Sequence, residues 1–266
     1  MIIADKTYDK NRTYIMGILN VTPDSFYDGD RYSSLDRAVK RALTIVEEGG
    51  DIIDIGGEST RPGSTHVSEQ EELERVMPVI EAVRREVDVP LSLDTYKANV
   101  AAEGIKAGID LINDIWGLRY DDNMAGVISE SGVACCLMHN RNDRTYNDLV
   151  KDVYNELNGC IDIALKAGID KDRIMIDPGI GFGKDTDQNL EVLKHLEIYK
   201  DSPYPVLLGV SRKSVIGNVL HVETEDRLSG TLALASWGIV NHVSWLRVHD
   251  VKEHVHTVKM LEYMIR

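Results

Sequence analysis

Eight short runs rich in Ile, Val and Leu, separated by longer amphipathic stretches, are the feature that most limits how this chain can fold. Such runs are typical of parallel strands buried on both faces, and the amphipathic stretches between them are typical of crossover helices. The predicted strands lie near residues 14–20, 51–55, 91–94, 110–114, 133–138, 173–177, 205–210 and 243–248.

Eight consecutive βα units in 266 residues predict an α/β protein of the (β/α)8 TIM barrel type, with one domain spanning residues 1–266. A barrel of this kind usually takes ~250 residues, whereas a doubly wound open sheet normally uses fewer strands. The 13 residues before the first strand form a short N-terminal extension. We expect this extension to make a hairpin or strand pair that plugs the bottom of the barrel.

Composition excludes several classes of function. The formal net charge of -14 argues against a nucleic-acid partner, because a phosphate backbone attracts clustered Lys and Arg. Neither the N-terminus nor any later segment has the roughly 18 consecutive apolar residues of a membrane helix, and no signal peptide is recognisable. Three cysteines without a CxxC pair fit a reduced, cytoplasmic environment. We therefore expect a cytoplasmic protein that binds neither nucleic acid nor membrane.

Polar residues follow nearly every predicted strand. In a barrel the carboxyl ends of the strands converge on one mouth, which is where this fold places its active sites. The polar residues at these ends are Asn20, Glu58, Asp94, Asn113, Asp114, His139, Asn140, Asp177, Ser211, Lys213, Arg247 and His249. An Asp or Asn at a strand end can simply cap the next helix, and both interpretations stay open for Asn113 and Asp114. The mixture of acids, amides and cations nevertheless indicates a ligand with a nitrogen-rich part and an anionic part.

Two glycine-rich stretches resemble nucleotide-binding motifs but do not match them. In DPGIGFGKD, three residues separate Gly179 from Gly183, and Asp185 stands where a P-loop needs Ser or Thr. The stretch IDIGGESTRPGS lacks the GxGxxG spacing of a dinucleotide-binding fold. Neither stretch therefore predicts a nucleotide site.

The segments after the first and second strands, TPDSFYDGDRYSS and ESTRPGSTHVSEQ, are long, polar and supplied with Gly and Pro. Loops of this kind on a barrel often act as lids, although a merely solvated connection is the alternative. Phe26 and Arg61 favour the lid, because an aromatic ring and a cation at loop tips suggest closure over a bound ligand.

Motifs along the whole chain resemble the dihydropteroate synthase family of pterin-binding enzymes. They are MGILNVTPDSF, DIIDIGGESTRPGS, LSLDT, INDIWG, IDPGIGFGK, GVSRKS and RVHD, and they span residues 14 to about 255. LSLDT and INDIWG are shared with the wider pterin-binding family, whereas MGILNVTPDSF, ESTRPG and SRKS together are specific to the synthases. The resemblance implies condensation of 6-hydroxymethyl-7,8-dihydropterin pyrophosphate with 4-aminobenzoate to give 7,8-dihydropteroate and pyrophosphate in folate biosynthesis. It also implies a homodimer and competition between sulfonamides and 4-aminobenzoate.

The resemblance implies roles for individual residues. The pterin ring would contact Asp94, Asn113, Asp177 and Lys213. The pyrophosphate would contact Asn20, Arg61, Arg247 and His249, with Asn20 also near a Mg2+ ion. The 4-aminobenzoate would contact Thr60, Pro62, Phe182, Ser211 and Lys213. The residues expected to act directly in catalysis are Asp24, Arg61, Asp94, Lys213 and Arg247.

Two alternatives remain at this stage. A methyltransferase that uses methyltetrahydrofolate would share the acidic and amide residues that contact the pterin, but it has no pyrophosphate to bind. Lys213, Arg247 and His249 favour the synthase, because they form an anion site. A non-catalytic homologue would be expected to have lost a pocket residue, and none of the matching positions is lost. Release of pyrophosphate from the pterin substrate would distinguish the synthase from both alternatives.

Overall fold

The computed structural model describes residues 1–21, 31–58 and 66–265. The expectations for Asp24, Phe26, Thr60, Arg61 and Pro62 concern positions outside these described residues.

The central sheet has eight parallel strands, and its topology confirms the predicted barrel. The strands are β3 (Tyr14–Asn20), β4 (Ile52–Gly56), β5 (Leu91–Asp94), β6 (Leu111–Asp114), β7 (Ala134–Met138), β8 (Ile174–Asp177), β9 (Leu207–Leu208) and β10 (Trp245–Val248). Their order in the sheet is β8-β7-β6-β5-β4-β3-β10-β9. A parallel bridge between Ile176 and Val206 joins the two ends, so the sheet closes on itself.

Helices connect successive strands, as crossover connections require. They are α1 (Arg31–Glu47), α2 (Glu69–Glu86), α3 (Ala98–Lys106), α4 (Met124–Ser131), α5 (Leu149–Lys166), α6 (Thr186–Lys194), α7 (Ser214–Leu220), α8 (Leu228–Val240) and α9 (Val251–Ile265). Helix α2 shows how local sequence determines where a helix begins and which face it buries. The Ser68 side chain caps its N-terminus, and Val76, Ile80 and Val83 form a buried stripe at helical spacing. Within the described ranges, none of the helices is long and apolar enough to cross a bilayer.

The N-terminal extension forms the predicted strand pair. Strands β1 (Ile2–Ile3) and β2 (Lys6–Thr7) are antiparallel, and Ile3 and Tyr8 pack beneath the barrel. Their partners are the first inward-facing side chains of the barrel strands: Met16, Ile52, Leu111, Ala134, Cys136, Met175, Leu207 and Trp245. Apolar side chains therefore fill the bottom of the barrel, whereas the inward-facing side chains nearer the other end are polar.

Candidate active site

An ion triad lies at the centre of the barrel mouth. Arg247 donates from Nε to Asp54 Oδ2 at 2.6 Å and from Nη2 to Asp94 Oδ2 at 2.6 Å. Asp54 is fully buried and also accepts hydrogen bonds from Ser92 and Asn113, at 2.5 and 3.2 Å. Charges this deep are tolerable only when paired and hydrogen-bonded, which this arrangement achieves.

Asp54 is a site residue that the sequence analysis missed. A signal for it exists, because Asp54 is a lone carboxylate inside the apolar run IIDIG, where a buried strand offers no reason for a charge. Glu58 was instead predicted as the polar residue that follows this strand, although Asp54 is the penultimate residue of the predicted strand 51–55.

Asp94 carries an acceptor that no described residue uses. Its Oδ1 atom is buried and has no hydrogen-bond partner in the described parts of the chain, while Oδ2 pairs with Arg247. Burial raises the pKa of Asp94 to about 7, although Arg247 works in the opposite direction. An unsatisfied buried oxygen costs free energy unless a ligand supplies a donor. Asp94 Oδ1 is therefore a strong candidate for contact with a ligand N–H group.

Two inward-facing glycines keep space open beside the acids. A Cβ atom at Gly56 would lie 3.7 Å from both Asn20 Oδ1 and Asp94 Oδ2, and one at Gly209 would lie 3.7 Å from Asp177 Oδ2. Strand register places Asn20, Gly56 and Asp94 side by side on β3, β4 and β5. The predicted residues Asn20, Asp94 and Asp177 thus border space that larger side chains would fill.

Asp177 combines a fixed oxygen with an oxygen directed toward Gly209. The backbone N–H of Gly179 donates to Oδ1 at 2.7 Å, which fixes the carboxylate orientation. Burial raises the pKa of Asp177, with the Gly179 N–H and Lys213 opposing the shift.

Lys213 reaches across the mouth to the loop after β8. Its Nζ atom donates to the Ile180 carbonyl at 2.7 Å and lies 4.2 Å from the centre of the Phe182 ring, a cation–π distance. Gly181 has φ +88°, and a Cβ atom there would approach Lys213 Cδ to 2.9 Å, so this loop needs glycine to pass the lysine. The structure therefore brings Lys213 and Phe182 together on one side of the mouth.

An apolar wall stands beside these polar groups. Ile115 and Met138 are buried together with Tyr96, and Phe182 and Trp116 pack against them. Ile115 and Met138 are not among the predicted site residues, because apolar residues next to strand ends resemble ordinary core residues in sequence.

Ser211 and His249 meet at the ends of β9 and β10. Ser211 Oγ lies 2.9 Å from His249 Nδ1 and accepts the backbone N–H of His249 at 3.1 Å. From α1, Arg41 Nη2 donates to the His249 carbonyl at 2.5 Å. Both predicted residues therefore lie on one side of the mouth, and the Ser211 hydroxyl faces the imidazole.

Three strand-end residues have partners that give them structural roles. Glu58 binds Lys97 at 2.6 Å in a network with Glu72 of α2. Asp114 accepts the backbone N–H groups of Trp116 and Leu118 in the turn after β6 and does not cap the next helix, which begins at Met124, whereas Asn113 donates to Asp54. Because successive strand residues point to opposite faces, neighbouring polar residues cannot all enter the mouth.

His139 is the third exception, and it belongs to a buried pair with Lys184. Lys184 Nζ lies 2.9 Å from His139 Nδ1 and donates to the carbonyls of Gly179 and Phe182 at 3.0 Å each. The lysine of DPGIGFGKD thus ties its own loop together instead of extending toward a phosphate.

The donor set fits a magnesium ion held mainly by its ligand. Among the described residues, no cluster of three or more His, Cys, Asp or Glu side chains could hold a metal. Asn20 supplies a neutral oxygen, Oδ1, beside Gly56 at the mouth. Mg2+ commonly binds through one or two protein oxygens while phosphate and water oxygens complete its shell.

Comparison with known proteins agrees with this site. Residues 16–249 match the family described as pterin binding enzyme. The chain is 51% identical over 268 residues to the dihydropteroate synthase of Clostridium beijerinckii, covering 100% of both chains. A Clostridium difficile dihydropteroate synthase solved in the presence of pteroic acid superposes with a TM-score of 0.94, at 50% identity, covering 97% of this chain and 98% of that one. A Xanthomonas albilineans dihydropteroate synthase with 4-aminobenzoic acid has a TM-score of 0.91 at 42% identity, covering 96% and 94%. This chain therefore belongs to the pterin binding enzyme family and, within it, to the dihydropteroate synthases.

Proposed function

We propose that this protein condenses 6-hydroxymethyl-7,8-dihydropterin pyrophosphate with 4-aminobenzoate, giving 7,8-dihydropteroate and pyrophosphate. The observation that carries the proposal is the buried Oδ1 of Asp94, which has no hydrogen-bond partner among the described residues and lies at the floor of a mouth that also holds Asp177, Lys213 and an apolar wall. A flat heterocycle with several N–H groups on its edge matches this combination.

The pterin ring would lie across the barrel floor. Asp94 Oδ1 and Asp177 Oδ2 would accept its N–H groups, Asn113 can donate and accept, and Lys213 can donate to its carbonyl. The ring faces would pack against the apolar wall that contains Met138.

The reaction is a substitution at the methylene carbon of the pterin. The amine nitrogen of 4-aminobenzoate forms the new C–N bond, the C–O bond breaks, and pyrophosphate leaves with the electron pair while the amine loses a proton. Asp94 and Asp177 would stabilise the positive charge that develops on the pterin. Arg247 and His249 would face the leaving anion, and no covalent bond to the protein is needed. Asp24, Thr60, Arg61 and Pro62 complete this proposal through the family resemblance alone.

Mg2+ at Asn20 is part of the proposal. Asn20 would hold the ion, whose positive charge would offset the negative charge of the leaving group. Removal of divalent ions with a chelator should then weaken pyrophosphate binding, and Mg2+ should restore it. Asn20→Ala should show a weaker response to Mg2+ than the wild type. Identical responses in calorimetric titrations of pyrophosphate would argue against this site.

A cytoplasmic homodimer is also proposed, and exposed apolar side chains support the dimer. Trp237 and Val240 on α8 are 46% and 48% exposed, and Met260 and Met264 on the adjacent α9 are 64% and 69% exposed. The two helices pack against each other, and exposed apolar side chains on neighbouring helices are typical of interaction sites. Trp237→Lys should convert a species of twice 29.8 kDa to the monomer in sedimentation experiments. A wild-type monomer would contradict the dimer.

Pyrophosphate release is the direct test of the activity. The wild type should release pyrophosphate only when both the pterin pyrophosphate and 4-aminobenzoate are present. Asp94→Asn should lose most of this activity, whereas Asp122→Asn, which alters an exposed carboxylate, is the matched control. Absence of release from correctly folded wild-type protein would refute the proposal.

A further inference from the structure

The parallel register of β9 and β10 continues beyond the ends of both strands. Leu207 pairs with Trp245, an offset of 38 residues (245 − 207 = 38). The contacts from Ser211 to His249 and from Arg212 to Asp250 have the same separation of 38. The side-chain contacts Ser211–His249 and Arg212–Asp250 therefore continue the alignment of the two strands beyond their last backbone pairing.

The second of these pairs is a bidentate ion pair. Arg212 donates from Nε to Asp250 Oδ2 at 3.0 Å and from Nη2 to Asp250 Oδ1 at 2.6 Å. Burial by itself would raise the pKa of Asp250, but Arg212 lowers it below its ordinary value. Planar, two-point pairing of this kind fixes orientation as well as distance.

The backbone of Arg212 is held just as firmly. Its φ of +55° lies in the left-handed region, which a residue with a Cβ atom adopts only where its surroundings enforce it. Its N–H donates to the buried hydroxyl of Thr231 at 3.0 Å, and its carbonyl accepts from Arg227 at 3.0 Å. This turn lies between Ser211, which contacts His249, and Lys213, which contacts the loop after β8.

The Ser211–His249 contact lies next to the Arg212–Asp250 ion pair, and its hydrogen bonds determine which imidazole nitrogen carries the hydrogen. Ser211 Oγ accepts the His249 N–H, so its own hydrogen is available to His249 Nδ1. If the Ser211 hydroxyl donates to Nδ1, then Nδ1 is an acceptor and the imidazole hydrogen is on Nε2. Nε2 is then a hydrogen-bond donor.

We infer that Arg212 is a positioning residue: its ion pair with Asp250 keeps Ser211 against His249 and fixes the turn from which Lys213 extends. Arg212 itself would not touch the substrate. The inference rests on the proposed function, in which Lys213 and His249 contact the pterin and its leaving anion.

Matched substitutions test the inference through kinetics. Arg212→Met removes the guanidinium group, and Arg212→Lys keeps the charge without two-point pairing. Arg84→Met is the control, because Arg84 pairs with Asp110 before β6, at the other end of the barrel. The exposed fractions of these two side chains are 27% and 21%, close to the 29% and 16% of Arg212 and Asp250. We expect kcat/KM for the pterin pyrophosphate to fall roughly 10- to 100-fold in Arg212→Met, since small misplacements of catalytic groups cost this much. The loss should be smaller in Arg212→Lys and absent in Arg84→Met.

Nitrogen NMR of the imidazole supplies a readout that general destabilisation would not change. His249 in the wild type should show the Nε2–H tautomer, and Arg212→Met should show a mixture of tautomers in a protein with native circular dichroism. Should Arg212→Met not fold, the nearly isosteric Asp250→Asn tests the same ion pair. Wild-type kinetics with an unchanged His249 spectrum, or an equal kinetic loss in Arg84→Met, would overturn the inference. A wild type that releases no pyrophosphate would instead refute the proposed function, and the His249 spectra would then decide the positioning role alone.

Discussion

Acidification should destabilise this protein partly through one buried imidazole, that of His139. The residue is fully buried, and its Nδ1 atom lies 2.9 Å from Lys184 Nζ. Burial, reinforced by the charges of Lys184 and Arg119, lowers the pKa of His139 from 6.5 to about 2. Glu156 lies 3.2 Å from Nε2, but its carboxylate is shared with Arg119 and Arg141, which limits its attraction for an imidazolium. His139 is therefore neutral in the folded protein throughout the range of an unfolding experiment.

The sign and size of the effect follow from linkage. Below pH 6.5 the unfolded chain binds a proton at His139 and the folded chain does not, so stability present above pH 6.5 is lost as pH falls. Each pH unit below 6.5 removes about 1.4 kcal/mol, so about 2 kcal/mol of unfolding free energy should be lost by pH 5. This figure depends only on a folded-state pKa well below 5.

Urea unfolding followed by circular dichroism at pH 8, 6 and 5 measures the effect. His139→Gln retains a side-chain acceptor for Lys184 but cannot titrate, and the exposed His256→Gln is the matched histidine control. Between pH 8 and pH 5 the wild type should lose about 2 kcal/mol more than His139→Gln. Equal losses in the wild type and His139→Gln would show that the buried imidazole becomes protonated without unfolding and would refute the reasoning.

Four further predictions address the site. Arg247→Met should lower the free energy of unfolding by about 3–5 kcal/mol, because Asp54 and Asp94 would be left as buried, unpaired acids; an unchanged urea midpoint would contradict this. Lys213→Ala should lose most of its kcat/KM, and near-normal values in a folded variant would exclude its assigned role. Calorimetry should show tighter 4-aminobenzoate binding once Mg2+ and pyrophosphate are present; equal affinities would mean that this subsite is preformed. Sulfonamides should raise the apparent KM for 4-aminobenzoate without lowering kcat, and a purely noncompetitive pattern would place the drugs elsewhere.

The barrel and most of its polar mouth could be predicted from sequence because both depend on local patterns. Short apolar runs such as ACCLM are typical of buried strands, and the observed β7 spans Ala134–Met138. Asp94 and Asp177 were predictable because each ends such a run at the carboxyl side, where the fold collects its site residues.

Only the tertiary structure decided which polar neighbours share the site. Asp54 enters the mouth, where Arg247 binds it, whereas Glu58 is bound by Lys97, 39 positions away. The same applies to Asp94 Oδ1, which has no partner in residues 1–21, 31–58 and 66–265 because Arg247, 153 residues later, pairs with only one carboxylate oxygen. Contacts between residues so far apart in sequence form only when the barrel closes, so local sequence patterns do not predict them. The strands themselves are predictable, because each corresponds to a run of apolar residues.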